Sequence, residues 1–175
     1  MNDKMVELAR NQLCYAREFE RAAKKVIDCA PRRPLELIPV LHLIAHSFEL
    51  TMKAGLSYQG VDTREQRKLN HSLKDIWKRS ELSDFRALAE CYSVDCCREA
   101  QESGDFGGPF PEEPYKEFIE HLWFLSDLHS RESDFALRYP QQDQNRMDVV
   151  RPYPLRCILD KLINRLGTKF SATDT

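Results

Sequence analysis

The chain has 175 residues, of which 42% are hydrophobic and 31% charged, with a formal net charge of −2. That size and balance suit one soluble domain with a real core and carry no global basic footprint of a nucleic-acid binder, so any such role must rest on a local patch. No run of about 18 apolar residues occurs, and the start "MNDKMVELARNQ" lacks the basic, apolar, small-residue order of a secretory signal, so the expectation is a cytoplasmic protein that does not enter a membrane.

The first segment repeats Met5, Leu8, Gln12 or Leu13, Ala16, Phe19, Ala23, Val26 or Ile27 and Ala30 every three or four positions, with Lys, Arg and Glu between them. This spacing predicts a long amphipathic helix that stops at "APRRP", because proline has no amide proton and biases the residue before it away from helical geometry. A second helix is predicted from about Leu35 to Tyr58. Leu37, Leu41, Ile44, Phe48, Met52 and Leu56 line one face, while Val40, Leu43, Leu50 and Ala54 make the other side apolar too, so this helix should be central. Pro39 is expected in its first turn, where a missing donor is tolerated, and Gly60 offers a left-handed exit.

Asp62 is then expected to cap a short helix, with Glu65 three residues on as in a capping box, and a loop follows near Asn70. Leu73, Ile76 and Trp77 should face inward from another helix, and Phe85, Leu88, Cys91, Tyr92 and Cys96 continue helical spacing to about Ala100. "ESGDFGGPFPEEP" reads as a loop. From Tyr115 the period returns with Phe118, Ile119, Leu122, Trp123, Leu125 and Leu128 inward. "ALRYPQQDQNRMDVVRPYP" is expected to be an extended crossing held out of helix by Pro140, Pro152 and Pro154. Leu155 to Phe170 forms a last helix with Leu155, Ile158, Leu159, Leu162, Ile163 and Leu166 inward. Nothing alternates with the period of a strand. The prediction is an all-α fold, a single domain over residues 1–175 built as an antiparallel helical bundle, since short links favour neighbours that reverse direction.

Glu49 and Lys53 stand at i and i+4 in the favourable orientation for a helix ion pair, yet their neighbours are apolar. Both groups would be partly desolvated and need further partners, and His71, returning after the turn, is the nearest candidate. His42 and His46 are one helical turn apart, and His46 precedes Glu49 by three. The three could converge on a metal only with a ligand from another helix, such as His121 or Asp127. Two half-buried, hydrogen-bonded histidines are the favoured alternative, with no metal or cofactor expected.

The six cysteines, Cys14, Cys29, Cys91, Cys96, Cys97 and Cys157, lack paired CxxC spacing. "CYSVDCC" has no matching second cluster, so thiols in a reducing compartment are expected. Arg64, Arg67, Lys68, Lys74, Lys78 and Arg79 form a local basic stretch that would suit a phosphate or RNA contact as well as a solvated face. No nucleophile elbow and no glycine-rich phosphate loop is present.

The stretch "HSFELTMKAGLSYQGVDTREQRKLNHSLKDIW" resembles the core signature of HEPN-like (higher eukaryotes and prokaryotes nucleotide-binding) domains: an apolar helix with E-L-x-x-K-A, a glycine turn, then H-x-L opening the next helix. The later "LRYP" is similar to a segment after the penultimate long helix of bacterial HEPN-like proteins. The resemblance covers residues 34–140, through Pro34 to Arg79 and Tyr115 to Pro140, and makes residues 151–170 an additional helix. It implies a helical bundle, often dimeric, in a class that includes ribonuclease toxins, RNA-processing enzymes and non-catalytic binding versions.

Catalytic members of that class carry Arg-x(4-6)-His on a late helix, where a dimer builds a composite ribonuclease centre. Here the late helix has His121 and His129 with no arginine at that distance before either. Arg64 and His71 alone meet the spacing, and they straddle a loop at the other end of the match. The expectation is therefore a non-catalytic, homodimeric module that binds a nucleotide, RNA or a partner protein through Glu49, Lys53, His71, Arg138 and Tyr139. An arginine grips phosphate in bidentate fashion, and a tyrosine stacks on a base. The alternative is a metal-independent ribonuclease in which His71 acts as acid or base and Arg64 stabilises the phosphorane charge.

Overall fold

The computed structural model describes residues 3–29, 34–104, 109–129 and 151–172, and all regular structure among them is helical. Helix α1 (Asp3–Cys29) turns Val6, Ala9, Leu13, Ala16, Glu20 and Ala23 inward. The buried stripe thus begins one position later than expected, on Val6 and Ala9 rather than Met5 and Leu8. The neighbour explains the shift: α2 (Pro34–Tyr58) lies along α1, and the fully covered alanines at 9, 16 and 23 let the two backbones approach closely. In that seam Ser47 Oγ donates to the Ala16 carbonyl at 2.7 Å.

The two-sided apolar pattern of α2 does make it central. It packs on α1 and on α3 (Thr63–Lys68), α4 (Leu73–Trp77), α6 (Pro114–His129) and α7 (Pro152–Ser171), with Leu41, Ile44, Phe48, Met52 and Leu56 fully buried. Pro39 departs from expectation. The helix starts at Pro34, a residue suited to the first position, so Pro39 is the sixth residue and removes a donor that the second turn would have used. At the other end Gly60 adopts φ 89°, its N–H reaches Ser57 O at 2.9 Å, and Val61 N–H reaches Leu56 O at 3.0 Å. This is a Schellman closure, in which a side chain at the left-handed position would be strained.

The chain then folds back over α2 through short elements. Asp62 Oδ1 accepts the Glu65 N–H at 2.8 Å and caps α3. Buried Gln66 on α3 donates to Ser57 Oγ at 2.7 Å, and Gln12 of α1 joins both, so three elements share one amide and hydroxyl network. After α4 comes a 3-10 turn (Ser80–Leu82) whose Leu82 lies so close to Gly55 that a Cβ there would meet Leu82 Cδ2 at 2.9 Å.

Helix α5 (Ser83–Glu102) supplies Arg86, whose Nη1 donates to the carbonyls of Trp77 and Arg79 at 2.6 and 2.8 Å and so ties down the end of α4. Phe85 and Cys96 face inward as expected, but Cys91 is exposed; the helix buries Ala89 and Ser93 in its place. In α6, Phe118, Leu122 and Leu125 are buried. The last helix begins earlier than predicted. Pro152 and Pro154, expected to hold the chain extended, occupy the first turn of α7, where no intrahelical donor is required. Leu155, Ile158, Leu159, Leu162, Ile163 and Leu166 then pack inward against α1, α2 and α5. Arg156 Nη1 meets the buried Glu20 of α1 at 2.6 Å, pinning α7 to α1. No described helix is long and apolar enough to cross a membrane.

Candidate functional site

Helical spacing puts His42, His46, Glu49 and Lys53 on one side of α2, each three or four residues from the next. The Gly60 closure and α3 then carry the chain back to Asn70, which takes φ 49°, a left-handed value that asparagine tolerates better than most residues. That twist aims the Asn70 carbonyl at Lys53 and delivers His71 beside Glu49. A third element completes the group: α6 ends at His129, one turn after Ser126. Ser126 Oγ accepts the Lys74 N–H at 3.0 Å and so holds the first turn of α4 against α6.

At the centre lies Glu49, only 3% exposed. Its Oε1 accepts Lys53 Nζ at 2.6 Å, and the same ammonium donates to Asn70 O at 3.1 Å. His71 Nδ1 is 3.1 Å from both carboxylate oxygens, His129 Nε2 is 2.9 Å from Oε2, and His46 Nδ1 is 3.8 Å from Oε2. An ionised carboxylate only accepts, so the ring nitrogens of His71 and His129 that face it carry the protons they share. The His129 ring centroid lies 5.7 Å from that of His42, 5.9 Å from that of His46 and 5.7 Å from that of His71. Four of the five histidines in the chain therefore gather around one carboxylate.

Burial by itself would push the Glu49 carboxyl up, but the hydrogen bond from His129, the charge and hydrogen bond of Lys53, and the hydrogen bond from His71 together hold it well below the usual carboxylate range. It is a fixed anion with its partners in place. Such a buried pair contributes little net energy compared with an apolar core, yet it fixes how α2, the α3–α4 turn and α6 meet. Half-buried His42 and His46 and the 41% exposed His71 side chain are the less buried members of the group, against 1% for His129.

No family model, no curated protein and no solved structure matches the chain.

Of the residues singled out from sequence, Glu49, Lys53 and His71 are brought together. Arg64 is not among them; it is exposed on α3 and makes no hydrogen bond or ion pair with His71. Arg138 and Tyr139 lie outside the described residues, as does Pro140. His46, Glu49 and His129 place ligand atoms within 4.8 Å of one another, so a third ligand from another helix exists, but it is neither His121 nor Asp127. His121 instead lines a crevice with Cys97 and Glu117, and Asp127 is exposed.

His129 is the residue that sequence reasoning missed as a partner of Glu49. The signal was present: Leu122, Leu125, Ser126 and His129 form one buried stripe at helical spacing. In the basic stretch, Arg64, Arg67, Lys68 and Lys78 are exposed without an ion pair among the described residues, whereas Arg79 is engaged by Glu81 Oε1 at 2.5 Å. Lys74 lies over the Trp123 ring at 5.9 Å.

Proposed function

We propose that this chain is a non-catalytic, HEPN-like helical module that dimerises and binds the phosphates of RNA or a nucleotide along the outer rim of the α3–α4 turn. The observation that carries this reading is the division of charge around that turn. Inside, Glu49 is neutralised by Lys53 and its histidine partners, so the turn is held rigidly and the buried charges make no demand on a ligand. Outside, Arg64, Arg67, Lys68 and Lys78 are exposed on α3 and at the end of α4, and the His71 side chain between these helices is 41% exposed. Exposed cations release counterions when phosphate arrives, and a rigid support lowers the entropy cost of binding. The resemblance adds Arg138 and Tyr139 as a guanidinium and an aromatic ring for the same ligand.

One observation favours ribonuclease chemistry as a second reading: Glu49 orients His71 through Nδ1, as a carboxylate orients a catalytic imidazole. Against it stands the late helix α6, where neither His121 nor His129 has an arginine four to six residues before it.

Fluorescence anisotropy with a short single-stranded RNA and with a nucleotide tests the binding reading. Charge reversal of Arg67 and Lys68 together should weaken binding at least about tenfold and flatten its salt dependence. Affinity that ignores the reversal removes the rim from consideration. RNA cleavage by the wild type that disappears in His71→Ala and Arg64→Ala would instead establish the enzyme.

A further inference from the structure

We propose that Cys96, Glu99 and Cys157 form a binding site for a divalent transition metal of zinc type that staples α5 to α7. Cys96 and Glu99 are three apart on α5 and so share a face, and Cys157 comes from the first half of α7. One ligand atom from each lies within 4.8 Å of the others, and Cys157 Sγ is 3.2 Å from Glu99 Oε2. A tetrahedral zinc with Zn–S of about 2.3 Å and Zn–O of about 2.1 Å needs its ligands roughly 3.5–3.8 Å apart, so side-chain rotation alone brings these three into range. Both thiols are buried, while the Glu99 side chain is half exposed. A metal enters on the glutamate side and keeps its fourth position for water.

Charge decides between this site and the histidine group around Glu49, whose ligand atoms are also close enough for an ion. Two thiolates and Glu99 carry three negative charges, and Lys161, which holds Glu99 Oε1 at 2.7 Å, contributes one positive charge. A divalent ion makes the assembly neutral. Around Glu49 the carboxylate is already balanced by Lys53, so the same ion would leave two uncompensated charges in a buried place. Soft sulfur ligands add preference for zinc at the first site. Binding exchanges the two thiol protons, released to solvent, for one metal ion.

The test is titration of reduced, chelator-treated full-length protein with cobalt(II), followed by zinc(II). One equivalent of cobalt should produce thiolate-to-metal charge-transfer absorption that zinc abolishes. Cys96→Ser and Cys157→Ser should each weaken binding by more than the ~10–100-fold that loss of an outer-shell partner costs, and Cys97→Ser should leave it intact. Absence of the absorption, or its persistence in both serine variants, overturns the proposal, as does zinc binding abolished by His46→Ala but not by the serine changes. Should the serine variants not fold, X-ray absorption of the zinc-loaded wild type decides: two sulfur neighbours at about 2.3 Å support the site, and a shell of nitrogen and oxygen alone sinks it.

Discussion

Glu49 on α2 and His129 at the end of α6 are 80 positions apart in sequence, and they meet at 2.9 Å in a buried contact. Through it the carboxylate that faces Lys53 on its own helix also holds the last turn of α6.

Removing the carboxylate leaves the Lys53 ammonium, only 15% exposed, without its counter-charge. Glu49→Gln should therefore cost about 3–5 kcal/mol in urea denaturation. Adding Lys53→Met to Glu49→Gln should recover part of that loss, because the unpaired charge is gone. A double variant as unstable as the sum of its parts would show that the two groups do not interact.

The acid limb of the stability curve should carry the signature of Glu49. Its folded pKa is depressed, so its contribution is complete above the ordinary carboxylate range and is lost as pH falls through that range toward the folded value. Stability of the wild type should drop from about pH 5 downward, and Glu49→Gln should show a shallower drop. Glu81 adds a smaller slope of the same sign, since the Arg79 hydrogen bond holds it down to about 2. Parallel curves for the wild type and Glu49→Gln would remove Glu49 from the acid transition.

Asn70 makes a backbone prediction. Its φ of 49° penalises any side chain with a bulky Cβ, while its carbonyl is the second acceptor for Lys53. Asn70→Ala should lower stability by about 1 kcal/mol, Asn70→Val by more, and Asn70→Gly by least. Thermal unfolding of the three variants gives the order directly.

Gly55 tests packing in the middle of a helix. Alanine is the better helix former by about 1 kcal/mol, yet a Cβ here meets Leu82 Cδ2 at 2.9 Å and Leu82 is fully buried. Overpacking of this kind costs about 1–3 kcal/mol, so Gly55→Ala should be net destabilising. Leu82→Val in the same chain should reduce the penalty, and a simple sum of the two single effects in urea unfolding would argue against the contact.

Much of the helical architecture was legible in the periodicity. Leu155, Ile158, Leu159, Leu162, Ile163 and Leu166 face inward as their spacing predicts, and Gly60 ends α2 as a left-handed residue, because both features depend on residues within a few positions of one another. Prolines were misread where position within a helix mattered: Pro152 and Pro154 begin α7, and Pro39 lies inside α2. Local sequence says that proline disfavours a helix interior. It does not say where the first turn falls when tertiary contacts extend the helix.

The sequence by itself determined that the chain would build amphipathic helices and that Glu49 and Lys53 would pair, since i and i+4 neighbours on one helix meet whatever surrounds them. Only the tertiary structure decided what that pair serves. His129, Ser126 and the Asn70 turn approach from elements brought alongside α2 by burial of their apolar faces, and those faces are indifferent to which polar groups come with them. The same holds for Glu20 with Arg156 and for Cys96 and Glu99 with Cys157. Apolar burial is non-directional, so a periodic pattern fixes which side of a helix is covered without naming the helix that covers it.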